Sequence, residues 1–270
     1  MSAPPSPKAP YRGAFRFLTA LFSFVCLAAP LPGLASEGAC PGDRFDAEGV
    51  VDVVFDGDTL ALSNRSKIRL GGINTPETGY EDRPSEPFAE AARDHLQRLA
   101  PPGTGIRLRY DTERRDRYGR ILAHVFLNDG SNVQESLLDA GLATTLVVPP
   151  NVWRHVCYAK VEAQARGAHR GIWALQRYRQ TPAEDLTADV RGFRIIAGRV
   201  QRVGEGRKNI WLNLTPKVAV RIPKPDLVYF DGYHPATLVG RRIEARGWIQ
   251  RRKGELRVSV RHPAALILLD

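Results

Sequence analysis

The stretch GVVDVVFDGDTLALS, residues 49–63, alternates apolar and polar residues on both sides of Asp56-Gly57-Asp58-Thr59. Alternation of period two, broken by an Asp-Gly turn, commits a chain to a β-hairpin, because successive strand side chains face opposite sides. The run KIRLGGI continues as a third strand. An acidic, proline-bearing loop, GYEDRPSEP, leads into FAEAARDHLQRLA, where Phe88, Ala92, Leu96 and Leu99 share one helical face and Pro101-Pro102 stop the helix. Two more strands, GIRLRY and GRILAHVFL, flank the charged DTERRDRY. Asp129-Gly130 then turns the chain into a short helix from Val133, closed by Gly141, and a last helix runs around CYAKVEAQARGA. The order β-β-β-α-β-β-α-α predicts a small α+β barrel with three helices and argues against a parallel sheet.

Residues 179–190 are polar and acidic and predict a linker between a first domain, 36–178, and a second, all-β unit over 191–270. The strands of that unit read GFRIIAGRVQRV, NIWLNLTPKVAVRI, GRRIEARGWIQRR and ELRVSVRHP, with Gly204 and Lys253-Gly254 at hairpin-like turns. The run VGRRIEARGWIQRRKGELRVSV resembles the later strands of an OB-fold, a five-stranded barrel that often binds nucleic acids or oligosaccharides. Charge divides at the same boundary. Residues 191–270 hold 17 basic and 6 acidic side chains, a net of +11, whereas residues 36–190 carry a net of −4. A polyanionic partner is therefore drawn to the C-terminal unit. Its Trp211 and Trp248, interleaved with bases such as Arg251, suit the platform-in-a-basic-groove arrangement that holds single strands; the competing reading buries those rings in the barrel core.

The first 35 residues read as a targeting segment: Lys8, Arg12 and Arg16, an apolar run of 13 residues from Phe17 to Ala29, Pro30 and Pro32, then Gly33-Leu34-Ala35. This order predicts a Sec signal peptide cleaved after Ala35. A membrane anchor needs about 20 apolar residues, and no later segment offers a span. Export to the periplasm or beyond leaves Cys40 and Cys157 in an oxidising compartment, where they predict one disulfide; two buried thiols are the alternative.

The motifs DGDT, IRL…NTPE, DRYGR, GLA and EAQA…GIW follow one another at compact spacing over residues 49–173. In this combination the chain resembles the staphylococcal nuclease family, the thermonucleases. The resemblance implies a five-stranded OB-like barrel with three helices, so that the whole chain is expected to be α+β, a nuclease barrel followed by a second small OB-like barrel. It also implies cleavage of phosphodiester bonds in DNA or RNA with one calcium ion, low sequence specificity and 3′-phosphate products.

The residues agree with that chemistry. In-line attack of water on a phosphodiester adds charge to the phosphorus oxygens, which Arg69 and Arg120 can hold with their planar forks. Glu77 is the carboxylate placed to take the water's proton. By resemblance Asp58 binds calcium directly, Asn74 through its side chain and Thr75 through its carbonyl, with Asp56 nearby through a water, and Tyr118 of DRYGR meets substrate. The family has aspartate where this chain has Asn74, and tyrosines where it has TTLVVPPN. Those departures keep a second reading open: a nucleic-acid-binding or envelope module on the nuclease fold that cleaves weakly or not at all. Single-stranded nucleic acid is the expected partner, and the sequence implies no protein partner.

Overall fold

β1 (Ala47–Asp56) and β2 (Thr59–Leu62) form the hairpin, with Asp56 opposite Thr59 at its turn. The computed structural model describes residues 1–3, 40–79, 81 and 83–270. Apart from its first three residues, the targeting segment expected over 1–35 lies outside the described residues. β3 (Lys67–Leu70), β4 (Ile73–Asn74), α1 (Ala89–Leu99), β5 (Gly105–Arg115), β6 (Ile121–Leu127), α2 (Val133–Asp139), β7 (Thr144–Thr145) and α3 (His155–Gly167) follow. Five strands close into a barrel in the order β1-β2-β3-β6-β5, with β3 parallel to β6, and β4 pairs with β7 as a two-stranded ladder. Leu60, Ile68, Leu70, Ile106, Leu108 and Val125 fill the barrel, and Leu96, Leu137 and Tyr158 bring the three helices onto it. The charged DTERR segment, expected to connect two strands, continues β5 instead. A register shift between Tyr110 and Arg115 carries it past the barrel rim, where its side chains are solvated.

The second unit comprises β8 (Gln180–Pro182), β9 (Phe193–Arg199), β10 (Arg202–Glu205), β11 (Asn209–Thr215), β12 (Val218–Pro223), β13 (Arg242–Arg252), β14 (Glu255–Ser259) and β15 (Leu266–Leu268). Its path is β10-β11-β12-β14-β13-β9-β8, with β12 parallel to β14. Only Val200 and Gln201 separate β9 from β10; Val200 N–H donates to Arg241 and Gln201 N–H to Asn213. One bent strand therefore serves both ends of the path, and the strand order repeats that of the first barrel. Gly204, expected at a turn, sits inside β10 opposite Trp211. The turn falls after it, because the ladder continues to Glu205 and Ile210. Lys253 and Gly254 form a β13–β14 turn with φ of 52° and 82°, the left-handed values a tight hairpin requires.

The segment 179–190 carries β8, which pairs parallel with β9, and the described residues from Cys40 onward pack as one compact unit. Ala165, Ile172, Trp173, Tyr178, Phe193 and Ile195 form an apolar cluster at the joint. Beside it, Arg246 of β13 donates to Glu162 of α3 at 2.6 Å and also to Thr145 of β7. Glu162 accepts from Thr145 N at 2.8 Å and from its hydroxyl at 2.9 Å. Arg166 and Gln180 both donate to the buried Glu244. Cys40 and Cys157 form a disulfide with Cα atoms 5.8 Å apart, closing a separation of 117 residues; a loop of this length nominally contributes about 4 to 5 kcal/mol.

Candidate active site

The turn between β1 and β2 begins the site. Asp56 accepts from Asp58 N at 2.9 Å, which folds the turn back on itself. Gly57 is required there by close approach: a Cβ on it would stand 2.5 Å from Ala92 of α1 and 2.8 Å from the Thr75 side chain. Asp58, buried, accepts from Thr75 N at 3.0 Å and from the Thr59 hydroxyl at 3.1 Å, and pairs with Arg69 at 2.9 Å. Arg69 comes from β3, opposite Thr59 in the ladder. It also donates to Asn74 Oδ1 at 3.0 Å and to the Ile73 carbonyl at 3.0 Å. Asn74 Nδ2 donates onward to the Thr75 carbonyl at 2.7 Å.

Arg120 enters from the other side, just before β6. Asp116 anchors it by its backbone N–H at 3.0 Å and its Nε at 2.7 Å, leaving Nη1 to reach Thr59 Oγ1 at 3.4 Å. One polar chain thus runs from Arg120 through Thr59 and Asp58 to Arg69, Asn74 and Thr75. Arg69, Glu77 and Arg120 line a single pocket together with Asp56, Asp58, Asn74 and Tyr118. Tyr118 is largely exposed, with the Arg120 guanidinium 5.6 Å from its ring centre. Thr75 is buried against the turn.

Burial, and then the charge of Asp58, push the Asp56 carboxyl up to about 6. Loss of hydration and then Asp58 raise Glu77 above the ordinary glutamate value, although Arg69 and Arg120 oppose them. Burial would raise Asp116, but the bonds from Arg120 and Tyr118 outweigh it and hold its carboxyl below the usual range.

Oxygen donors of the carboxylate, amide and carbonyl kind suit a hard divalent ion. Among the described residues, however, no group of three or more His, Cys, Asp or Glu side chains is placed to hold a metal. Two carboxylates, Asp56 and Asp58, supply the negative charge, and an uncharged amide stands third. The donors fit calcium in kind with one charge fewer than three carboxylates would bring.

Lys67 lines the same pocket and was missed from sequence. The available signal was its spacing: two residues before Arg69 on a strand is the same face. A second cavity opens beside the pocket, sharing Arg69, Tyr118 and Arg120 and walled by Leu146, Val148 and Trp153. The substrate residues expected in the second barrel do not all gather. Trp211 and Trp248 both point outward from the sheet, flanked by buried neighbours, and the Trp248 and Phe193 rings meet in a T-shaped contact with centres 5.4 Å apart. Arg251 lies on the opposite parity from Trp248, that of buried Ile249, and projects past the barrel end.

Residues 67–175 match the profile of the family described as staphylococcal nuclease homologue. A thermonuclease of Staphylococcus intermedius is 34% identical over 128 residues, which cover 46% of this chain and 74% of that protein. A thermonuclease of Staphylococcus hyicus is 33% identical over 124 residues and 72% of its length. The endonuclease YhcR of Bacillus subtilis is 32% identical over 157 residues, 54% of this chain but only 13% of YhcR.

Proposed function

The chain belongs to the staphylococcal nuclease family, and on that premise we propose that it hydrolyses phosphodiester bonds of DNA or RNA at the Arg69–Glu77–Arg120 pocket. One observation carries the reading: two guanidinium groups and a carboxylate from three separate segments converge on one pocket. Each arginine brings a planar guanidinium to the pocket, Arg120 held through Nε by Asp116 and Arg69 held through its Nη atoms by the Leu70 and Ile73 carbonyls, Asn74 and Asp58. Glu77, at the pocket rim with a raised affinity for protons, accepts a proton from the attacking water. The bond from water oxygen to phosphorus forms as the bond to the 5′-oxygen breaks, and that oxygen takes a proton from solvent to leave as a 5′-hydroxyl, so the phosphate stays on the 3′ side. Negative charge that grows on the phosphoryl oxygens meets the Arg120 guanidinium directly, whereas Arg69 donates its Nη hydrogens to them by exchanging its bonds to Asn74 and Asp58.

Calcium is the ion that this proposal assigns: Asp58, Asn74 and the Thr75 carbonyl would hold it, with Asp56 behind, and it would supply Lewis-acid charge neutralisation at the phosphate. The proposal also includes export, cleavage of the leader after Ala35, low sequence specificity and a preference for single strands. Support for the last is the basic C-terminal unit with its outward-facing tryptophans. Among the described residues no helix is long and apolar enough to cross a membrane.

The test incubates the chain starting at residue 36 with plasmid and heat-denatured DNA, in calcium and in chelator. The expected result is degradation in calcium alone, faster for denatured DNA, with fragment ends from which a phosphatase releases a 3′-phosphate. Retention of DNA in a gel shift with no fragments in either condition would leave the non-cleaving module as the correct reading.

A further inference from the structure

The outer face of the second barrel carries a transverse row of side chains. Cross-strand register sets Trp211 of β11 opposite Arg221 of β12, and Arg221 opposite Ser259 of β14. The Ile249–Val258 pair places Trp248 of β13 next in line. Neighbouring strands lie about 4.8 Å apart, so the two indoles stand roughly 14 Å apart on one face. The Arg257 guanidinium lies 4.7 Å from the Trp211 ring centre, while Gly204, opposite Trp211 on its other flank, has no side chain to cover it. Arg221 donates to Ser259 Oγ at 2.8 Å, and its Nη1 has no protein acceptor among the described residues.

This row leads to the active pocket. Trp248, Ser259 and Arg261 wall a cavity of about 120 Å³ together with Phe193, Leu146 and Val148. One water takes about 10 to 15 Å³ on this measure, so the cavity admits a planar ring and no folded segment. Leu146, Val148 and Arg261 also wall the second cavity beside the active pocket, which shares Arg69, Tyr118 and Arg120 with it. Arg261 stands where the two cavities meet. Asp226 holds it by Nε at 2.8 Å and Nη2 at 3.0 Å, leaving Nη1 without a protein acceptor among the described residues. Asp111, Glu113 and Asp116 also line the second cavity. Those carboxylates repel phosphate, so a bound strand keeps its phosphates on the Arg69, Arg120 and Arg261 side of the cavity.

We infer that this line is a track for a single-stranded polynucleotide: the strand leaves the catalytic pocket past Leu146 and Val148, stacks a base on Trp248 and crosses Arg221 to Trp211. Arg261 and Arg221 hold backbone phosphates, and the flat indole faces accept any base. A duplex does not fit, because its bases are already stacked on each other. The inference rests on the proposed nuclease reading and adds to it a dependence on substrate length.

The test compares a dinucleotide with an oligodeoxynucleotide of about 12 residues, within the range one OB barrel accommodates, on the whole chain from residue 36. The ratio of their KM values is measured for wild type, Trp248→Leu and Trp248→Phe. Anisotropy of the labelled oligonucleotide in chelator reads binding without cleavage, and thermal melting reports folding. Wild type is expected to favour the longer substrate. Trp248→Leu should reduce that advantage about 5- to 150-fold, the loss of one stacked base, while Trp248→Phe keeps most of it at an equal melting temperature. A ratio and an anisotropy titration unchanged in Trp248→Leu would overturn the track even with cleavage intact. Binding that depends on Trp248 without any cleavage would uphold the track and overturn the nuclease reading instead.

Discussion

Asn74 determines how the acidic half of the pocket is wired. Its amide accepts from Arg69 through Oδ1 and donates to the Thr75 carbonyl through Nδ2, which an aspartate could not do. Replacing it by aspartate would release that carbonyl and add a third negative charge beside Asp56 and Asp58. Asn74→Asp is therefore expected to tighten calcium binding on the order of tenfold, since a unit charge at this range outweighs the lost amide bond; equal affinities by titration calorimetry would refute this. A second residue-scale effect is unconnected with the pocket. His124 is buried against Tyr158, and burial, followed by the charge of Arg109, lowers its proton affinity from 6.5 to about 3. Its folded value lies below its unfolded one, so its contribution to stability is complete above pH 6.5. That contribution is lost as pH falls towards 3, because the unfolded chain takes up the proton first. At pH 5 the loss is about 2 kcal/mol. Denaturant unfolding of His124→Gln should show a stability decline between pH 7 and pH 5 that is smaller than wild type by about that amount; parallel curves would contradict it.

At the scale of elements, the two-residue ladder of β4 and β7 joins the site to the second barrel. Asn74 pairs with Thr144, and the adjacent Thr145 is gripped by Glu162 and Arg246. Arg246→Met would leave Glu162 as a buried charge without its cation, at a cost of about 3 to 5 kcal/mol. Adding Glu162→Gln should restore more than half of that in urea unfolding of the full chain, and additive losses would show that the pair is not coupled. This ladder was invisible in the sequence, since two residues carry no period. The hairpin, the third strand and the helices were legible because each extends over enough residues for period two or 3.6 to appear. Gly204 was misplaced at a turn because glycine within a strand gives the same local signal as glycine beside one. Lys67 went unnoticed through being read as part of a strand rather than as a face. Arg251 was grouped with Trp248 by proximity along the chain, although a strand sends residues three apart to opposite sides.

Across the whole molecule, charge and shape follow the division that the sequence displayed. The first domain carries net negative charge and places two arginines and a carboxylate on one pocket; the second carries the basic surplus and shares cavity walls with the first. The join between them was not legible, because Arg246, Glu162 and Thr145 are each unremarkable in sequence and meet only through the packing of α3 against β13. The disulfide was legible in the cysteine count, since only two cysteines follow residue 35 and they lie within reach of each other in the fold. What unites these features is the assignment of Glu77 as the base between Arg69 and Arg120. Its most direct test is the cleavage rate of single-stranded DNA by wild type and Glu77→Gln at saturating calcium, with binding followed on the same samples. The account predicts a rate lower by about 10² to 10⁴ with binding retained; an unchanged rate would contradict it.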